Sequence, residues 1–262
     1  MTSAHDLAPA FLIGGAGPLA TREFAKLIEA LGDQQQYRRQ DERLVVPVDL
    51  IAFHGGALPA DFSLANEVDT LLAAVDGAGA RRAHLFGYSG GGAVALAFGA
   101  RHADRVASLA LEETAWVGND NVPDLEREAW ASLADALKLP AYEALLAFQQ
   151  LMVAPGAPAL PELPPDAPWL KPMVAGIVAL SGSFRAATMD LAALRATGIP
   201  IYCAVGSLSH PVFELRSRRL QAAIPAATVE VYEGLHHLAP PHRYDAERLA
   251  ARLGELWAGA DA

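Results

Sequence analysis

Apolar and polar positions follow two rhythms along this chain. Nearly unbroken apolar runs at residues 11–13, 44–50, 83–86, 106–111 and 199–205, with an alternating run at 228–232, read as strands, most of them buried on both faces. Between them the spacing is helical. Phe24, Leu27, Ile28 and Leu31 fall at i, i+3, i+4 and i+7, and Leu64, Val68, Leu71, Leu72 and Val75 line one face of a second helix. An apolar helix over 93–100, one between 205 and 228, and a final amphipathic one carrying Leu249, Leu253, Leu256 and Trp257 continue the series. Strand and helix taking turns is the pattern of βα units on a parallel sheet, so the predicted fold class is α/β.

The rhythm changes after Thr114. Helical stretches near 125–139 and 141–153 are followed by a proline-rich loop over 155–172 and a further helical stretch around 169–180. The predicted organisation is an α/β core, residues 1–114 and 190–262, interrupted by a mostly helical insertion over 115–189. The proline-rich loop is either a surface linker or the hinge of a lid.

Composition narrows the function. The 262 residues are 52% hydrophobic, enough for one large core without staples. Asp plus Glu at 30 against Lys plus Arg at 20 gives a net charge of −10, which argues against a nucleic-acid partner. The single cysteine, Cys203, excludes an intramolecular disulfide and a thiolate metal cluster, leaving a His/carboxylate metal site formally open. Residues 1–10 carry no positive n-region, and no stretch approaches the roughly 20 apolar residues of a membrane span. A soluble, cytoplasmic protein with no membrane partner is therefore expected. Lysine only at Lys26, Lys138 and Lys171, amid abundant Arg and Ala, points to a GC-rich bacterial genome.

Gly87-Tyr88-Ser89-Gly90-Gly91 matches G-x-S-x-G, with a strand before it and a helix after it. Small residues flank the serine because the turn is tight and the chain on either side must pass close together. Such a turn lifts the hydroxyl above the sheet, at a helix N-terminus whose free N–H groups favour developing negative charge. A serine nucleophile needs a base. His84 lies inside a strand and reads as packed, His5 and His102 as solvated, while His54 and His210 follow strands and could face the site without acting in it. His242 has no assigned role. His236-His237 follow the last strand, at the sheet edge where α/β folds place ligands, and the base is expected there.

These residues resemble the α/β-hydrolase fold enzymes, the superfamily of esterases, lipases, lactonases and epoxide hydrolases, from Phe11 to Trp257. The resemblance implies a mostly parallel sheet flanked by helices, with the insertion as a helical cap. Only ten residues precede Phe11, so the sheet is expected to be shortened at the N-terminal edge, where a homodimer contact is left open. The family's G-x-G-H-x-x-P pattern overlays Gly234-Leu235-His236-His237-Leu238-Ala239-Pro240 and implies His237 as the base, with His236 in the usual glycine position and as the alternative. The loop Gly14-Gly15-Ala16-Gly17 is similar to the family's H-G-x-x oxyanion loop, with Gly14 in place of the histidine. It implies the backbone N–H groups of Ala16 and Gly90 as oxyanion donors. The common acid position, G-x-x-D after the penultimate strand, reads Gly206-Ser207-Leu208-Ser209 here. The other family position, at the end of the strand after the nucleophile helix, holds Glu112 and Glu113. Similarity to the strand ends of haloalkane-dehalogenase-like and zearalenone-lactonase-like enzymes implies Glu113 as the acid and Glu112 as its solvent-facing neighbour.

The resemblance thus implies a serine hydrolase using Ser89, His237 and Glu113 on an apolar carboxylic ester or lactone, with no cofactor and no metal. Candidate pocket residues are Tyr88, Trp116, Phe148, Met152, Trp169 and Met173, with Trp130 among the same apolar insertion residues. A serine nucleophile argues against dehalogenase and epoxide-hydrolase chemistry, which use a carboxylate. A thioesterase or a carbon–carbon bond hydrolase would use the same residues. The alternative of a different class is a non-hydrolytic small-molecule binder on a hydrolase scaffold.

Overall fold

The computed structural model describes residues 7–17, 19–36, 43–54, 57–158, 160 and 162–261; His5 lies outside them. All six predicted strands are present as β1 (Ala10–Ile13), β2 (Val45–Val48), β3 (Ala83–Tyr88), β4 (Val106–Glu112), β5 (Ile201–Gly206) and β6 (Thr228–Tyr232). They form one sheet in the order β2-β1-β3-β4-β5-β6, and every pairing is parallel. β2 was expected to be buried on both faces but stands at the edge, half-buried, and carries Pro47, whose missing N–H an edge strand tolerates. Among the described residues no antiparallel pair extends the sheet beyond β2.

The helices in chain order are α1 (Ala20–Glu23), α2 (Ala25–Gln36), α3 (Leu64–Gly77), α4 (Gly90–Arg101), α5 (Asp124–Ala136), α6 (Ala141–Leu151), α7 (Leu170–Ala186), α8 (Ala192–Thr197), α9 (Val212–Ala223), α10 (Pro241–Tyr244) and α11 (Ala246–Asp261). Strand side chains alternate between two dry layers. Phe11, Ile13, Leu85, Leu109 and Leu111 pack against α3, α4 and α9, whereas Leu12, Phe86, Tyr88 and Ala110 pack against α2 and α11. Because both faces are covered, β3 and β4 are buried at every position, which is why they read as continuous apolar runs.

That two-sided cover corrects the expectation for Glu112. It shares the parity of Ala110, so it faces the α10–α11 side and is fully buried rather than solvated. Its carboxylate takes the Nδ1 of His242 at 3.1 Å and the His242 backbone N–H at 3.3 Å.

Between β4 and β5 the chain runs through α5, α6, α7 and α8. Ala144, Leu145, Leu170, Val174 and Ile177 of α6 and α7 form a small apolar cluster of their own. Leu180 and Phe184, further along α7, belong to the main core instead. Among the described residues no helix is long and apolar enough to cross a membrane.

Candidate active site

The strand order reverses between β1 and β3, since the chain builds toward β2 on one side and toward β4 on the other. Ligand crevices in open α/β sheets lie outside the carboxyl ends of the strands at such a switch point. Here those ends carry the Gly14–Gly17 loop and Ser89.

Ser89 connects β3 to α4 with φ 52° and ψ −117°, a conformation costing about 1–3 kcal/mol for a residue with a side chain. Its backbone is held from three sides: Ser89 N–H donates to Glu112 O at 2.9 Å, and Ser89 O accepts from Ala115 at 3.0 Å and Ala93 at 3.3 Å. The motif's two outer glycines are demanded by close approach. A Cβ on Gly87 would strike the Gly91 backbone, and one on Gly91 would strike the carbonyls of Ile13 and Gly14. Gly15 N–H donates to Glu23 Oε2 at 2.8 Å, which pins the loop that brings Ala16 beside Ser89 and Gly90. Glu23, buried in α1, was not singled out from the sequence because a glutamate in a helix reads as solvated.

Glu113 follows the last residue of β4 with φ 52° and is fully buried. Its Oε1 accepts from the Gly206 N–H at 2.5 Å and from the Ser209 hydroxyl at 2.6 Å; its Oε2 lies 3.5 Å from His237 Nδ1. Of the two adjacent histidines, His237 is therefore the one against the carboxylate. His236 turns its Nδ1 to the Leu238 N–H at 3.2 Å, and burial lowers its pKa. The His237 ring is stacked on Phe213 with centroids 4.4 Å apart and lies 5.2 Å from the Tyr88 ring. The Tyr88 hydroxyl donates to the His237 carbonyl at 2.5 Å, which ties the residue before the serine to the loop of the histidine. Burial, reinforced by Glu23, Glu112 and Glu113, raises the Tyr88 pKa well above its usual value, so the phenol stays a donor.

Ser89, Ala16 and Gly90 line a narrow, partly open pocket walled mainly by apolar side chains of α5, α6, α7 and α9. Phe148, Met152 and Trp130 are in that wall. Trp116 is not: it is fully buried in the core, stacked on Phe184 at 5.7 Å, with its indole N–H on Asn119 at 2.9 Å. Tyr88 lies beneath the His237 loop rather than at the wall. Trp169 and Met173 line a separate depression with Gly17 and His54, and Phe53 stands between it and the pocket.

Phe213, His210 and Arg216 also line the pocket. Arg216 was missed because the stretch Arg216-Ser217-Arg218-Arg219 reads as a solvated helix face, and Phe213 because a single aromatic beside that run carries no local sign of a pocket. Burial, and then the Arg216 charge, lowers the His210 pKa and keeps that ring neutral. His84 is packed as expected, with Nδ1 2.8 Å from Ser108 Oγ; His54 is exposed and His102 half-buried rather than solvated. Among the described residues no group of three or more His, Cys, Asp or Glu side chains converges as a metal site would require.

A parallel sheet with a strained serine at its switch point, and a buried carboxylate–imidazole pair after β4 and β6, defines a class of α/β proteins built like hydrolases. The chain belongs to the alpha/beta hydrolase family, whose pattern it matches over residues 11–252. It is 31% identical over 146 residues to a 2-hydroxymuconate semialdehyde hydrolase of Pseudomonas putida, an alignment spanning 53% of this chain and 49% of that protein. The chain thus matches about half the length of that curated relative. Its fold is similar to a thermophilic esterase from Thermogutta terrifontis, TM-score 0.69 at 20% identity over 97% of this chain and 91% of that one. It is also similar to naproxen esterase (carboxylesterase NP) from Bacillus subtilis, TM-score 0.64 at 17% identity over 98% and 85% of the two chains.

Proposed function

We propose that the protein is a serine hydrolase that cleaves a carboxylic ester or lactone through an acyl-enzyme at Ser89. The observation that carries this reading is the Glu113 carboxylate held by Gly206 and Ser209 with its other oxygen 3.5 Å from His237 Nδ1, in a chain whose strained serine lies at a pocket wall. In this reading Ser89 Oγ attacks the ester carbonyl as its proton passes to His237 Nε2. The backbone N–H groups of Ala16 and Gly90 receive the oxyanion, and Glu113 holds the ring and stabilises the imidazolium. The proton then goes to the departing alcohol oxygen as the C–O bond breaks. Water, deprotonated by the same imidazole, attacks the acyl carbon, and Ser89 leaves with the proton. Helices α5–α7 act as a lid whose underside selects an apolar substrate.

Stoichiometric labelling by a fluorophosphonate, located by mass spectrometry, tests the assignment together with p-nitrophenyl butyrate turnover. Label on Ser89 alone and turnover lost in Ser89→Ala are expected. Label elsewhere with Ser89 untouched would overturn it, and no label or turnover across a broad ester panel would favour a non-hydrolytic binder. A second reading rests on the partial relative, which by its name acts on 2-hydroxymuconate semialdehyde. Turnover of that compound exceeding turnover of every ester would favour it.

A further inference from the structure

A buried guanidinium lines the mainly apolar pocket. Arg216, on α9, is only 5% exposed, and its Nε donates to Glu126 Oε1 at 2.8 Å. Glu126 is fully buried on α5, and its other oxygen is taken by Arg219, whose Nη2 also donates to the Asp120 carbonyl at 2.7 Å. Two guanidiniums therefore share one carboxylate, leaving one positive charge in excess, and among the described residues no Asp or Glu lines the pocket. Arg216 sits 5.2 Å from the Trp130 ring centroid and 5.6 Å from that of Phe213, both in the pocket wall. An arginine has five N–H donors, and among the described residues only the Nε donor of Arg216 is engaged. The Nη groups, with no protein acceptor among the described residues, keep access to the pocket, where an anion entering it would find charged donors already in place. A helix clamp does not require Arg216, because Arg219 alone pairs Glu126 from the other side.

We propose that the substrate carries a carboxylate remote from the bond to be cleaved, and that the Nη groups of Arg216 receive it. This rests on the hydrolase reading above for the bond cleaved, and on Arg216 for the anion. The excess is a single charge, which matches a monoanion, and the planar fork of two Nη groups matches the two oxygens of a carboxylate. His210 accepts from the Val212 N–H at Nδ1, 3.2 Å, so its neutral ring carries the proton on Nε2 and offers one further donor at the same wall. The apolar surface between this end and Ser89 would bury the hydrocarbon that joins the carboxylate to the ester.

The test is kcat/KM for matched ester pairs. On the acyl side, mono-p-nitrophenyl esters of α,ω-dicarboxylic acids of six to ten carbons (~6–10, bracketing a pocket of this class) are set against p-nitrophenyl esters of the monocarboxylic acids of equal length. On the alcohol side, ω-acetoxyalkanoates are set against alkyl acetates. In at least one series the anionic ester should exceed its neutral partner by about tenfold, near the value of one charge-assisted hydrogen bond. Arg216→Gln should bring that ratio below one, and Arg216→Lys should retain part of it. Preference for the neutral ester at every length in both series of the wild type would overturn the proposal, whether or not the Arg216 variants fold. If no ester is turned over, the hydrolase reading fails separately. The anion site is then decided by calorimetry on Ser89→Ala with the monoanilides of the same diacids and their neutral methyl esters. Tighter binding of the anions by about tenfold supports it, and equal or weaker binding overturns it.

Discussion

Ser209 donates its hydroxyl to Glu113 Oε1 at 2.6 Å, although the two residues stand at the ends of different strands. Where similar enzymes carry their acid after the penultimate strand, this chain has a donor that solvates a carboxylate arriving from the neighbouring strand. Glu113→Gln should lower kcat by up to about 10⁴, by analogy with loss of a triad carboxylate, since glutamine can still accept from Gly206 and Ser209 but cannot stabilise an imidazolium. Ser209→Ala should cost about tenfold, the worth of one hydrogen bond to a charged group. Ser209→Asp in the Glu113→Gln background should restore part of the rate. Steady-state kinetics on p-nitrophenyl butyrate checks all three, and near-normal turnover in Glu113→Gln would remove the residue from the mechanism.

Glu112 should behave differently. Its carboxylate is sealed against His242 on the other face of the sheet, so Glu112→Gln weakens a buried pair without touching His237. A loss of about 1–2 kcal/mol in unfolding free energy is expected, because the amide oxygen can still accept from the ring. Urea titration reads the stability loss, and kcat should fall far less than in Glu113→Gln.

Tyr88→Phe removes the hydroxyl that holds the His237 carbonyl. The expected effect is a drop in kcat of about tenfold with KM little changed, since the pocket wall does not include this residue. A rise in KM at constant kcat would mean that the ring acts in binding instead.

Phe148 and Trp169 line different spaces. Phe148→Ala should reorder the preference among acyl chain lengths, because its ring is in the wall that Ser89 shares. Trp169→Ala should leave that order intact, its indole lining the neighbouring depression and standing 38% exposed. Equal losses on every ester in Phe148→Ala, in step with a lower Tm, would mark it as packing only.

His84 makes stability depend on acid pH. Burial first, then the Arg43 charge, push its pKa down from 6.5 to about 4, against the pull of Asp261. The folded state therefore binds the proton less well than the unfolded one. The contribution is fully present above pH 6.5 and is lost as pH falls toward 4, amounting to roughly 3 kcal/mol. Urea unfolding at pH 7, 5.5 and 4.5 should show this decline, and His84→Leu should flatten it. An unchanged slope in the variant would place the acid sensitivity elsewhere.

What the sequence by itself determined was whatever depends on neighbours along the chain. Strands reveal themselves as apolar runs because a parallel sheet is dry on both faces, and the turn at Ser89 reveals itself because its geometry admits glycine at Gly87 and Gly91. The tertiary structure decided what depends on partners far away. One step of strand parity sends Glu112 to His242 and Glu113 to His237, and no local pattern shows which helix covers which face. Trp116 and Trp169 are equally apolar in sequence, yet one is core and the other lies beside a surface depression. Arg216 shares a polar run with Arg218 and Arg219, and only the packing of α5 against α9 removes it from water. Burial of a charge is a property of the surfaces that meet around it, and those surfaces come from residues some ninety positions apart, as Glu126 and Arg216 are.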